Sequence, residues 1–307
     1  MVYALAGIAL AAAVSPSGRC CMTDPQGRYR HPRAQGAPKP GPFRVISLGP
    51  ARMPGVPADV QRLDYAGSAD GTPDWALLVP PADSARLWVV FLHGHGSQGD
   101  QLFTRPDIRD GWLPEFRRLG LGILSPNLRG NAWMSPQAAS DLHDLLEWVR
   151  RRHAARRFIL AGGSMGGSSA LAYASLHPGD AAAVIALCPA ADIGDYQRSC
   201  AASGEAIHQE IGLAIRAAYA GEADEIAAVY DERSAVRHAA RLTMPVFVCH
   251  GAKDAVIPIA GARRLARSME GRVTFRYVEL PDGDHEAPLA EMPRGLGWVM
   301  AALKAGR

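Results

Sequence analysis

Lysine is nearly absent from this chain: three lysines (Lys39, Lys253, Lys304) stand against thirty arginines among 307 residues. With so much alanine, this is the signature of a GC-rich genome, not of a function. Cysteine is also sparse, with five residues and no pair at zinc-ligand spacing, so the reading expects no metal site. An odd, small number of cysteines in a chain this long also argues against a disulfide scaffold. Cys188 and Cys249 fall in apolar runs and read as buried strand residues. A charge excess is missing from most of the chain. Residues 1–40 carry five basic groups and one acid, while the other 267 residues carry 28 basic and 29 acidic groups, a net of −1. A nearly neutral body excludes the basic stripe that nucleic-acid binding needs. It also excludes a polybasic membrane patch.

Long hydrophobic runs are missing as well. The apolar stretch 4–14 is too short to span a bilayer, and no later segment is apolar enough, so no integral membrane segment is expected. Residues 4–14 resemble the apolar part of a signal peptide but lack a preceding positive charge. Periplasmic or secreted export, and a cytoplasmic protein with a signal-like or disordered leader, both stand as expectations. Residues 15–42 hold six prolines among Gly, Arg and Gln, so residues 1–42 read as a leader without a core of its own.

What is present is an α/β pattern over 43–307. Short strand-like runs at 43–48, 60–65 and 74–79, separated by Gly, Pro or Asp, suggest an antiparallel meander. Strands and helices then alternate. Strands are expected at 87–94, 121–127, 157–163, 181–189, 244–251 and 272–280, and helices at 110–119, 135–152, 167–176, 258–269 and 287–303. Ser135 and Pro136 are placed to start the second helix. Alternation of this kind predicts a mostly parallel sheet with helices on both faces. About 192–240 is too long for one crossover. Ile207, Ile211, Ile215 and Tyr219 recur every four residues there, which reads as a small helical insertion able to overhang a site.

Gly162-Gly163-Ser164-Met165-Gly166 lies between a buried strand and a helical run. A sharp strand-to-helix turn would expose the Ser164 hydroxyl, and the glycines would avoid clashes that a Cβ creates. The Met165 N–H, at the helix start, would be free to bind an oxyanion. A serine needs a base. His285, in a Gly/Asp-rich loop between the last strand and last helix, is the candidate. Asp254, in a short loop after the strand 244–251, is the candidate carboxylate that orients it. A second oxyanion donor is expected from the loop His93-Gly94-His95-Gly96, with the N–H of His95 first and that of Gly96 as runner-up. In the loop 127–136, Arg129, Asn131 and Trp133, together with Gly96, are candidate substrate contacts; the same three side chains could instead hold their loop by hydrogen bonds.

The segments LHGHGS (92–97), GGSMGG (162–167), HGAKDAVIP (250–258) and GDHE (283–286) resemble, in that order, the serine esterases and peptidases of the α/β-hydrolase superfamily. The stretch 230–258 is similar to the prolyl oligopeptidase and dienelactone hydrolase branches, with Ser at 164 where dienelactone hydrolase has Cys. The resemblance implies the α/β-hydrolase fold with an eight-stranded, mostly parallel central sheet. It implies a Ser164–His285–Asp254 triad, no cofactor, and an acyl-serine mechanism on a small-molecule ester. No propeller domain is expected, since only residues 1–84 precede the resembling region. A small peptidase or amidase is the alternative, and a non-catalytic ligand-binding homologue a further one. The sequence does not set the oligomeric state.

Overall fold

The computed structural model describes residues 40–81 and 86–305. The signal-like stretch 4–14 and nearly all of the leader lie outside the described residues. Among the described residues, nine strands form one sheet: β1 (Arg44–Pro50), β2 (Gln61–Ala66), β3 (Pro73–Val79), β4 (Leu87–Leu92), β5 (Gly122–Pro126), β6 (Arg157–Gly163), β7 (Ala181–Leu187), β8 (Val246–Gly251) and β9 (Phe275–Leu280). Their order is β1-β2-β3-β5-β4-β6-β7-β8-β9. The pairings from β1 to β5 are antiparallel, and the six strands from β5 to β9 run parallel. All nine strand-like runs of the sequence are therefore strands, one more than the eight that the resemblance implies.

The helices are α1 (Gln101–Thr104), α2 (Pro106–Gly111), α3 (Leu113–Arg118), α4 (Pro136–His153), α5 (Met165–Leu176), α6 (Ile193–Ala202), α7 (Ala206–Tyr219), α8 (Ala227–Asp231), α9 (Ala260–Ser268) and α10 (Met292–Ala305). Alternation along β4 explains the layers. Trp88, Val90 and Leu92 pack in the core beneath α4, α5 and α9, while Val89 and Phe91 pack beneath α1–α3 and α10. Successive side chains of a strand point to opposite faces, so a strand buried on both must be apolar throughout.

Three local expectations change. The helix expected over 110–119 is the end of α2 and all of α3, with α1 before them; Pro106 is the first residue of α2 and Pro114 the second of α3. Proline has no N–H to continue a helix and suits a first turn. The helix expected from 287 begins as a 3-10 turn, Ala287–Glu291, before α10. Ser135 does sit at the N-cap of α4, but its side chain makes no capping bond, and Pro136 follows as the first helical residue. Cys188, Cys200 and Cys249 are free and buried. Among the described residues, no helix is long and apolar enough to cross a membrane.

Candidate active site

The loops after β4, β5, β6, β8 and β9 all leave the carboxyl edge of the parallel strands, where an open α/β sheet leaves room for a ligand. Ser164 joins β6 to α5 with φ 58° and ψ −123°, a strained conformation for a residue with a side chain. The surroundings leave no alternative. A Cβ at Gly166 would overlap the Leu92 carbonyl oxygen, and one at Gly162 would lie 2.6 Å from the same oxygen. The strand therefore meets the helix with no space for side chains on either side of the serine. The turn is held by Ser164 N–H donating to Leu187 O (2.8 Å) and Ser168 N–H to Ser164 O (2.9 Å).

The structure brings Ser164, His285 and Asp254 together from three loops. His285 Nε2 lies 3.0 Å from Ser164 Oγ, and its Nδ1 lies 2.8 Å from Asp254 Oδ2. The other Asp254 oxygen accepts the N–H groups of Val256 (2.9 Å) and Ile257 (2.8 Å). Burial raises the Asp254 pKa, but hydrogen bonds from His250 and His285 outweigh it and hold the carboxyl below its ordinary range. An ionised Asp254 accepts a hydrogen bond from the Nδ1–H of His285, which leaves Nε2 free to accept from the serine hydroxyl. His250, fully buried, approaches Asp254 Oδ2 at 3.1 Å and donates to Ile257 O at 2.9 Å. The sequence reading missed this second histidine. Its only signal was a spacing of four residues before Asp254.

The neighbouring N–H groups divide cleanly. Gly94 N–H donates to Gln101 Oε1 (2.9 Å), and Gly96 N–H donates to Asn131 Oδ1 (2.8 Å). Gly96, the runner-up, is thus committed elsewhere. The N–H groups of His95 and Met165 have no partner among the described residues. Gln101 is a further residue that sequence reasoning missed. It is buried, its Nε2 donates to Ser97 Oγ (2.8 Å), and it pins the loop that carries His95.

A cavity of about 240 Å³ opens at Ser164. It is lined by Gly94, His95, Gln101, Arg105, Ile108, Val256, His285, Glu286 and Leu289, with Ile207 and Ile211 reaching in from α7. Arg105 pairs with Asp107 (2.8 Å) and with Glu286. Neither Arg105 nor Glu286 stands out in sequence.

Arg129, Asn131 and Trp133 do not line this cavity. They belong to a strained loop in which Leu128, Arg129, Trp133 and Met134 all have positive φ. Arg129 makes paired bonds to Asp70 (2.7 and 2.8 Å) and to the fully buried Asp141 (2.6 and 3.1 Å). Its backbone N–H donates to Asp74 (2.6 Å). Asn131 holds Gly96, and Trp133 Nε1 donates to His95 Nδ1 at 3.1 Å. Arg129 thus anchors its own loop, while Asn131 and Trp133 tie that loop to the one that carries His95.

His93 does not converge with His95 on a ligand. Its ring nitrogens contact the carbonyls of Gly94 (2.9 Å) and Asn127 (2.8 Å). Elsewhere, His143, His177 and Asp180 bring ligand atoms within 4.8 Å of one another. Both Asp180 oxygens already have partners, Arg150 (2.8 Å) on one, Tyr173 (2.7 Å) and His143 (2.9 Å) on the other, so this carboxylate serves the fold.

A family model described as the alpha/beta hydrolase fold matches residues 88–210. The chain carries the α/β-hydrolase fold. Among solved structures, the chain is similar to puromycin hydrolase, at 19% identity and a TM-score of 0.60 over 80% of this chain and 38% of that one. The chain therefore spans less than two-fifths of that protein's length. It is also similar to acetyl xylan esterase 1 from Thermoanaerobacterium, at 17% identity and a TM-score of 0.60 over 84% and 87% of the two chains. Est1E from Butyrivibrio proteoclasticus matches at 17% identity and a TM-score of 0.56 over 79% and 99%. No curated protein matches the sequence.

Proposed function

We propose that this protein is a serine hydrolase that cleaves carboxylic esters of small molecules through an acyl-serine intermediate. The observation that carries the reading is the continuous chain Ser164 Oγ, His285, Asp254, with links of 3.0 and 2.8 Å, at the mouth of a cavity. His285 takes the hydroxyl proton as Ser164 attacks the ester carbonyl. Asp254 stabilises the imidazolium that forms. The N–H groups of Met165 and His95 receive the oxyanion. His285 then returns the proton to the leaving alcohol, and water deacylates Ser164 by the reverse route. No step requires a cofactor.

The segment around 192–240 acts as a cap in this reading. Ile207 and Ile211 of α7 supply apolar lining to the cavity that holds the nucleophile, as suits an acyl group. A peptidase or amidase is the second reading, favoured by the likeness to puromycin hydrolase and to a Mycobacterium tuberculosis puromycin-hydrolyzing peptidase.

Two measurements test the proposal. Labelling by a fluorophosphonate probe should depend on Ser164, and a site that does not react would make the protein a non-catalytic homologue. Rates on short acyl esters set beside aminoacyl amides separate the two catalytic readings. Ser164→Ala should abolish turnover of both while preserving the fold; near-normal hydrolysis by this variant would sink the scheme.

A further inference from the structure

We propose that the imidazole of His95 is a fixed hydrogen-bond donor to the substrate, selecting esters that carry a second, neutral oxygen acceptor a few atoms from the scissile carbonyl. This rests on the ester-hydrolase reading and names the substrate class of that site. The His95 side chain is only 8% exposed, yet it lines the cavity that holds Ser164. Its tautomer is set by the fold. Trp133 Nε1 donates to His95 Nδ1 at 3.1 Å, and an indole nitrogen can only donate, so Nδ1 accepts and the ring proton sits on Nε2. The Trp133 ring is held by its burial, and the backbone of the same residue is tied to α7 by the Tyr219 hydroxyl at 2.8 Å.

The Nε2 donor is buried and has no hydrogen-bond partner among the described residues. A buried donor without a partner is costly, and a substrate oxygen would satisfy it. Burial lowers the His95 pKa and Glu210 only partly offsets this, which keeps the ring neutral at neutral pH. Glu210, on α7, places a carboxylate oxygen 3.5 Å from the same nitrogen, long for a hydrogen bond but close enough to repel an anion. The acceptor must therefore be uncharged: an ether, a hydroxyl or a carbonyl. His95 is also the residue whose backbone N–H is a proposed oxyanion donor, so its ring belongs to the same wall of the cavity as the reacting carbonyl.

The test uses isosteric pairs in which one oxygen replaces a methylene. On the acyl side, 4-nitrophenyl methoxyacetate is set against 4-nitrophenyl butyrate; on the alcohol side, 2-methoxyethyl acetate is set against butyl acetate. Within each pair, the ratio of kcat/KM is compared between wild type and His95→Phe, so that intrinsic reactivity and any general loss of activity cancel. The ratio should fall about 3- to 10-fold for one of the two pairs, the worth of one neutral hydrogen bond. Which pair responds identifies the side that carries the acceptor. Ratios that do not fall for either pair overturn the proposal. If His95→Phe does not fold, Glu210→Gln reads the same nitrogen. The discrimination against 4-nitrophenyl hemisuccinate relative to the neutral butyrate should then relax several-fold, and an unchanged discrimination overturns the proposal. Failure here with hydrolysis still dependent on Ser164 counts against His95 alone, whereas hydrolysis that survives Ser164→Ala counts against the ester-hydrolase reading.

Discussion

Replacing Asp254 with Asn tests the site most sharply, because the structure leaves the amide no satisfactory orientation. Four N–H groups face the carboxylate: those of Val256 and Ile257 bond Oδ1, that of His285 bonds Oδ2, and the single Nε2–H of His250, which donates to Ile257 O, lies 3.1 Å from Oδ2. Asparagine keeps one acceptor and adds an NH₂ donor. With the amide oxygen at the Oδ1 position, the NH₂ faces His285 Nδ1. His285 relieves that conflict by moving its proton to Nε2, where it can no longer accept from Ser164. A serine protease with the equivalent change loses about 10⁴ in kcat, roughly 5.5 kcal/mol of transition-state stabilisation, and the same order is expected here. In the flipped orientation, the NH₂ faces Val256 and Ile257 and orphans one partly buried and one buried donor, the latter at about 1–3 kcal/mol in stability. The variant must lose one or the other. Initial rates on 4-nitrophenyl acetate read the first, and the urea midpoint reads the second. A kcat within tenfold of wild type together with an unchanged midpoint would refute the reasoning. Stability against pH adds a signed check. The folded pKa of Asp254 lies below the unfolded value of about 3.9, so its contribution is complete above about pH 4 and is lost as pH falls through the folded value. Any stability deficit of Asp254→Asn should shrink in that acid range.

Three other outcomes follow from the packing. Gly166→Ala forces a Cβ into the Leu92 carbonyl oxygen, a backbone atom that cannot yield, so it should cost at least about 3 kcal/mol in unfolding free energy or prevent folding; wild-type melting would contradict this. Arg129→Ala strips Asp141, fully buried, of its paired bonds, and should cost about 3–5 kcal/mol by urea unfolding at neutral pH. Burial pushes the Asp141 carboxyl up to about 6 against the pull of Arg129, so the deficit should shrink as pH falls toward 4 and the carboxyl takes up a proton; a deficit independent of pH would be inconsistent. Ile207→Ala enlarges the cavity wall and should move the acyl-chain optimum one or two carbons longer, at about fourfold in kcat/KM per methylene; an unchanged chain-length profile would remove α7 from the site.

The order Ser164, Asp254, His285 was legible because each residue sits in a turn that follows a strand, and turns after parallel strands share one edge of a sheet. The nine strands were legible from apolar runs bounded by Gly, Pro and Asp. The break-up of the helix at 110–119 was less so. Pro114 fits a helix start inside that span, and Phe103, Trp112 and Phe116 pack the short helices on the sheet. Arg129, Asn131 and Trp133 looked equally suited to touching substrate or bracing a loop. The deciding atoms lie far away in sequence: Asp70 and Asp141 for Arg129, Gly96 for Asn131, His95 for Trp133.

By itself, the sequence determined the α/β alternation and the strand–turn–helix at Ser164. Both arise from the local physics of periodicity and of glycine's missing Cβ. Its near-neutral body also argues against the basic stripe that binding a charged polymer needs. Tertiary structure alone decided that Gln101 and Asn131 occupy the N–H groups on either side of His95, that His250 shares the carboxylate of Asp254, and that Trp133 fixes the His95 tautomer. The physical reason is the reach of the interactions. A helix or turn forms from neighbours a few residues apart, whereas a hydrogen bond needs two groups within about 3 Å, wherever the chain happens to bring them.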